Sequence, residues 1–290
     1  MSAVVEGRRG RGIDYAAEVQ VYEPHRAGLP PLGAYLRELW RRRHFVLELS
    51  RANLRAQHFN TFFGQLWLIL NPLFLALVLM ALVTIVRGGS RGTEFLAHLM
   101  LCLFAFRLVS GSVSQGAKSV TSGGKLILNS AFPRSLLPLA AVVTGFMRFV
   151  PTLLLFAIMF VVAGLPVGPH MLWSLPIFGF LVVFGLGTAM LMATAQVYFR
   201  DLANFLPYFT RIWLYASPII YYAHEVPERF EPILWANPLF PMLASLSEAL
   251  AEGKAPTPAY LGAGLAWAVG ALVVGFLVFV SREREFAVRL

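Results

Sequence analysis

The sequence is short of ionisable groups and almost without cysteine. Only 13% of its 290 residues are charged, and its single cysteine, Cys102, stands inside an apolar run. One thiol supports neither a disulfide framework nor a cysteine metal site. The six histidines, at 25, 44, 58, 98, 170 and 224, fall in no metal-ligand spacing. His224-Glu225 fails to continue into HExxH because position 228 is Glu228. Residues 119–126 imitate the end of a phosphate loop, but GxxxxGK followed by Ser or Thr requires glycine at 119 and a hydroxyl at 126. The chain has Ser119 and Leu126 there, so no cofactor, and no ATP, is expected on this chain itself. Acids are also missing from every long apolar run. Ion-coupled transporters carry ionisable acids at membrane depth, so any transport by this chain is expected to draw its energy from another subunit.

Apolar sequence fills the space that charge leaves. Hydrophobic residues make up 58% of the chain and mean hydropathy is +0.67, which excludes an ordinary soluble domain. About 20 apolar residues cross a bilayer core of roughly 30 Å. Residues 51–86 set the pattern, with a basic, polar entry, then Gly64 and Trp67, then an apolar run broken only by Asn71 and Pro72. Six spans are predicted, at about 62–86, 95–116, 137–163, 172–198, 203–222 and 259–280. The fifth is short and holds Pro207, Arg211 and Pro218, so a kink or an unwound turn is expected in it. The net charge of +9 lies at the ends of these runs, where lipid head groups and topology account for it without nucleic acid. Lys118, Lys125, Arg134, Arg200, Arg282, Arg284, Arg289 and the arginines before residue 60 would lie inside; Arg87, Arg91, Arg229 and Lys254 would lie outside. The positive-inside rule then puts both termini in the cytoplasm of a plasma (inner) membrane protein.

Around this 62–280 domain, residues 1–31 read as a mobile tail without the apolar core of a signal peptide, and 281–290 as a cytoplasmic tail. Residues 32–61 begin with an amphipathic pattern in which Leu32, Leu36, Leu39, Trp40 and Leu47 share a face, as in an interfacial helix. Arg43 intrudes on that face, where its long stem can snorkel. The outer segment 223–258 has two apolar pieces, Pro232–Trp235 and Pro238–Leu250, too short to span and suited to re-entrant or gate helices. The fold class is therefore an all-α membrane protein of six transmembrane helices with an N-terminal interfacial helix.

Three cations, Arg107, Arg148 and Arg211, lie inside predicted spans with no acid beside them in sequence. They suit an anionic substrate or a lipid phosphate; snorkelling or pairing with carbonyls is the alternative. Aromatic residues gather near span ends: Phe63 and Trp67, then Tyr198, then Trp213, Tyr215, Tyr221 and Tyr222. Such residues form interfacial belts or line a path in which flat rings stack on sugars.

Several motifs, taken together, resemble the permease subunit of type-2 ABC exporters, in the branch that exports lipid-linked polysaccharides such as O-antigen, teichoic acid and galactan. The residues concerned are Phe63-Gly64 with Trp67 and Asn71-Pro72; Lys125-Leu126-Ile127 with Phe132-Pro133-Arg134 and Leu137-Pro138; Arg200-Asp201-Leu202; Ser217-Pro218-Ile219 with Tyr221; and Asn237-Pro238. They occur in order at spacings that fit six spans. The chain departs from the pattern before Gly64, where Asn53 and His58 occupy positions commonly held by an acid and a tyrosine. The resemblance implies a homodimer working with two copies of a separate ABC ATPase, which would bind ATP and Mg. It also implies a coupling helix at about 118–134, with Lys125, Phe132, Pro133 and Arg134 as the coupling residues. The amphipathic helix would be a gate, and Arg200 and Asp201 would anchor their loop to it. Phe63, Trp67, Tyr198, Trp213, Tyr215, Tyr221 and Tyr222 would line a channel or its gates. Two other functions stay open on the residues: a permease of the same fold moving a drug or simple lipid, and a membrane-embedded glycosyl- or phosphotransferase.

Overall fold

The computed structural model describes residues 31–57, 63–89, 91–129 and 132–289, and these residues form α-helices joined by turns and short 3-10 segments. Two helices, α1 (Leu32–Arg41) and α2 (Arg43–Gln57), precede the bundle. The long helices α3 (Trp67–Arg87) and α4 (Gly92–Ser122) follow. The short α5 (Gly124–Asn129) leads into α6 (Leu136–Val162) and α7 (Ser174–Tyr198). Next come α8 (Leu202–Ala216), α9 (Glu231–Ala236) and α10 (Leu239–Leu250). The chain closes with α11 (Pro258–Arg282) and the single turn α12 (Phe286–Arg289).

Five of these, α3, α4, α6, α7 and α11, are long and apolar enough to cross a membrane; the sequence predicts six. The difference lies in α8, which stops at Ala216 after 15 residues. Pro218 forces the residue before it out of the helical region, and Ser217 is extended at φ −98°, ψ 153°. The chain nevertheless travels the length of the bundle here. At the end of α7 Tyr198 Oη donates to Glu285 beyond α11 (2.5 Å). At the opposite end, His170, just before α7, donates to the Ala249 carbonyl (2.7 Å) near the start of α11. So α7 and α11 are parallel, and residues 199–257 must return from one end to the other.

Helix α4 occupies the centre, buried along most of its length between α6 and α7. Small residues set the close packing, as membrane helices require when apolar burial alone does not favour association. A Cβ at Gly187 would fall 2.3 Å from the Ala271 backbone, and one at Gly275 would fall 2.1 Å from the Gly187 carbonyl oxygen. The α7 and α11 backbones therefore touch. At the end of α3, Gly88 adopts the left-handed conformation (φ 72°) and gives its N–H to Ile85, closing the helix.

Of the amphipathic stripe near the start, Leu39 alone turns inward, and the buried residues of these helices come from outside the stripe. Leu32, Leu36, Trp40 and Leu47 are exposed, whereas Tyr35 and Val46 are buried and Leu39 packs against the α6 side. The pattern breaks at Arg42, and Arg43 donates to the Trp40 carbonyl (3.2 Å) with its guanidinium over the Trp40 ring. Both apolar pieces of the outer segment are helical, and every residue of α10 is buried. After α11 the described chain stays folded to Arg289, with Phe286 buried against Phe279 at 5.1 Å between ring centres.

Candidate functional site

A cavity of about 410 Å³ lies within the bundle, walled by α3, α4, α6 and α8. Trp67 and Asn71 contribute from α3, Arg107, Ser114 and Gln115 from α4, Arg148 from α6 and Thr210 from α8. Pro72, also in the wall, has no N–H for the Leu68 carbonyl, so that carbonyl lacks its usual helix donor. Gln115 Oε1 accepts from Arg148 Nη2 at 2.6 Å, while Arg148 Nε is buried with no partner among the described residues. Arg107 is exposed into this space between buried Phe106 and Leu108, and makes no hydrogen bond or ion pair among the described residues. Among the described residues, no carboxylate lines the wall. Guanidinium stays charged at any relevant pH. On insertion scales an arginine at the centre of a spanning helix costs about 2.5–3.5 kcal/mol.

The cavity thus unites three of the sequence-predicted residues, Trp67, Arg107 and Arg148. Phe63 stands beside it, edge-on to Trp67 at 5.5 Å. Arg211 is separate, on the exposed side of α8 with Tyr208, Ile212 and Tyr215. Trp213 is on the other side of that helix: it is buried among Phe106, Phe184 and Phe209, and its Nε1 donates to Asn237 Oδ1 (2.8 Å). Its position in this chain is therefore in the packed core, not on a cavity wall.

The remaining predicted residues lie at the two ends of the bundle. At one end, Phe132 packs on Phe45 of α2 at 5.6 Å, Pro133 is buried, and Arg134 donates to the Glu283 carbonyl. Tyr35 Oη shares a 2.8 Å hydrogen bond with Ser135 and donates to the Glu283 carboxylate. Burial and then the Glu283 charge push the Tyr35 phenol well above its ordinary range. Phe132 and Arg134 consequently face inward, and the predicted coupling stretch holds the last turn of α4, which runs to Ser122, and then α5. Lys125 is on α5, but its side chain lies outside the described residues, as does His58. Arg200 reaches the Arg289 carbonyl (3.5 Å), and Tyr198 has the Arg289 guanidinium 4.3 Å above its ring. The loop after α7 is thus held by the C-terminal turn rather than by α1. Asp201 opens α8 through its backbone carbonyl, which accepts from Asn204 (2.9 Å).

At the other end, Glu225 gathers Arg87 (3.2 Å), Arg91 and the Tyr222 backbone N–H (3.1 Å). Burial works against the charged Glu225, but these donors win and hold its carboxyl below the usual value. The Tyr222 ring packs against Phe95 and, 4.3 Å away, His98. His98 shares a 2.8 Å hydrogen bond with Ser247 and donates through Nε2 to the Tyr221 carbonyl (3.3 Å). Lys254 bridges Glu252 (2.9 Å) and Glu248 (3.3 Å). Sequence reasoning passed over Tyr35, Gln115, His98 and Glu283, whose partners are remote along the chain. Glu225, opposite in sign to Arg87 and Arg91 on the same predicted side, carried a signal.

Apolar helices wrapped round a polar, cationic cavity, with charged clusters at both ends, define a multi-pass membrane protein. No family model matches the chain. It is similar to curated permeases named O-antigen export system permease protein RfbA. A Myxococcus xanthus protein of that name is 28% identical over 258 residues, 87% of this chain and 97% of the relative. Two from Klebsiella pneumoniae are 25% identical over 245 residues (83% and 93%) and 27% identical over 209 residues (72% and 80%).

Proposed function

We propose that this chain is the transmembrane permease of an ATP-driven exporter carrying a lipid-linked cell-surface polysaccharide, of the O-antigen, teichoic acid or galactan type, outward across the plasma membrane. The observation that carries this reading is the similarity to export-system permeases along most of the chain and nearly all of the relatives' length. The chain hydrolyses nothing itself. Two copies of a separate ATPase bind ATP and Mg, and two copies of this chain pair as a homodimer.

The return of residues 199–257 along the bundle supports a sixth crossing, made by α8 and the extended residues after it. With it, α1 and α12 both face the cytoplasm, in keeping with the basic residues at their end of the bundle. There α5, with Lys125, is the docking element for the ATPase. Phe132, Pro133 and Arg134 tie it to α2 and to the end of α11, so that a push on α5 reaches the interfacial helix. Arg200 and Asp201 anchor the loop between α7 and α8. Phe63, Trp67 and Tyr215 line the path, Tyr198 flanks its inner end, Tyr221 and Tyr222 belong to its outer gate, and buried Trp213 supports α8 from behind. Arg211, on the same exposed side as Tyr215, meets anionic substrate or lipid phosphate.

Depletion of the chain in its native host tests the proposal. Surface polysaccharide is expected to fall while lipid-linked polymer accumulates inside. Unchanged surface polymer after depletion, with loss of drug efflux instead, overturns it in favour of a permease for another solute.

A further inference from the structure

We infer that the cavity between α3, α4, α6 and α8 binds the phosphate head group of a lipid, a phosphomonoester or diphosphate, with Arg107 and Arg148 as its charged ligands and Gln115 as the residue that positions Arg148. Two guanidinium groups enter one cavity whose wall holds no carboxylate among the described residues, so a ligand is left to neutralise their charge. Each stands near the middle of its helix. At about 1.5 Å of rise per residue, the helix ends are roughly 20 Å away, beyond the reach of a snorkelling stem. Arg107 has no partner among the described residues, which leaves the carbonyl-pairing alternative unfilled as well.

The donors also match phosphate. The planar guanidinium fork binds phosphate oxygens through paired N–H groups. Gln115 takes one end of the Arg148 fork (2.6 Å) and so fixes its plane, while the buried Nε remains to be satisfied. A buried donor of this kind is almost always paired. Asn71 and Ser114 add neutral polar groups to the wall. A volume of about 410 Å³ is in the range of small-ligand sites, enough for one head group and too small for a coiled polymer. Arg107 is exposed halfway along α4, so the opening is at the flank of the bundle, among apolar helices. A phosphate carried on a lipid reaches that level sideways. Only the identity of that lipid as the anchor of an exported polymer rests on the function proposed above.

The test uses the full-length chain in nanodiscs of phosphatidylcholine, with bound lipid counted by native mass spectrometry. The probes are phosphatidic acid, the matching diacylglycerol and inorganic phosphate. Phosphatidic acid is expected to bind and diacylglycerol not to; Arg107→Gln and Arg148→Gln should each weaken binding at least ten-fold, and Gln115→Ala less. Arg229→Gln, in the outer segment, should leave binding unchanged. Displacement of phosphatidic acid by equimolar inorganic phosphate would support the anion site but assign its source to solution. Diacylglycerol binding as well as phosphatidic acid, or wild-type affinity in monodisperse arginine variants, overturns the inference. If the arginine variants do not fold, the selectivity of the wild-type chain between the two lipids still decides it. Binding by a chain whose depletion leaves surface polymer intact would uphold the site and reject the export reading; the reverse result would do the opposite.

Discussion

The Tyr35 hydroxyl donates to the Glu283 carboxylate, joining the helix that precedes the bundle to the turn after its last long helix, 248 residues away. Ser135 and Arg134, at the start of α6, complete the junction. Helix α1, the predicted coupling segment and the C-terminal turn therefore meet at one buried polar cluster. Tyr35→Phe keeps the ring and removes the hydroxyl, leaving a buried carboxylate short of a donor, a loss of about 1–3 kcal/mol. A lower thermal midpoint in detergent, with faster deuterium exchange in α1, is the expected outcome.

Phe132 and Arg134 act inside this junction. Phe132→Ala removes a ring packed on Phe45, and Arg134→Ala removes the donor to the Glu283 carbonyl. Both variants should still assemble with an ATPase, yet lose most export per ATP hydrolysed. Measurement of the two rates side by side in proteoliposomes tests this; unchanged coupling would confine both residues to local packing.

Backbone contact between α7 and α11 makes two glycines sensitive to any side chain. Gly275→Val and Gly187→Val put carbon atoms where backbone already lies and should abolish the monodisperse peak in size-exclusion chromatography. Gly262→Ala and Gly270→Ala, whose added methyls meet nothing within 4 Å, should leave it intact.

Asn237 uses both ends of its amide. Its oxygen accepts from Trp213 (2.8 Å) and the Leu239 N–H (3.0 Å); its nitrogen donates to the Ala216 carbonyl and Ser217 Oγ, each at 3.1 Å. Asn237→Asp keeps the acceptor and loses both donors, so it should destabilise by roughly 1–3 kcal/mol. Asn237→Ala, losing all four bonds, should do more. Thermal unfolding followed by tryptophan fluorescence ranks them.

The Glu225 clasp predicts a pH dependence. Its carboxyl is held below the usual value in the folded chain, so its contribution is present above the ordinary carboxylate range. That contribution is lost as pH falls through the lower, folded value. Deuterium exchange at residues 221–226 should therefore rise in acid for the wild type. Glu225→Gln should show raised exchange already at neutral pH and little further change in acid.

Much of this architecture was legible in the sequence because membrane insertion reads hydropathy along one dimension. The apolar runs yielded the long helices, Pro218 the break after Ala216, and the piece Pro238–Leu250 the helix α10. Contacts between helices were not legible. In helices apolar on all sides, periodicity does not tell which face meets lipid and which meets protein. Trp213 therefore looked like a lining residue and proved to be core, and of one amphipathic stripe Trp40 stayed outside while Leu39 turned towards α6. Arg211 looked equivalent to Arg107 and Arg148, yet only those two share a cavity. Gln115 and Arg148 are 33 residues apart, and no local pattern links them. The sequence by itself determined where the chain is apolar and where it must turn; the packing of α3, α4, α6 and α8 decided which charges face one another, because proximity across a bundle depends on helix contacts that residue order does not contain.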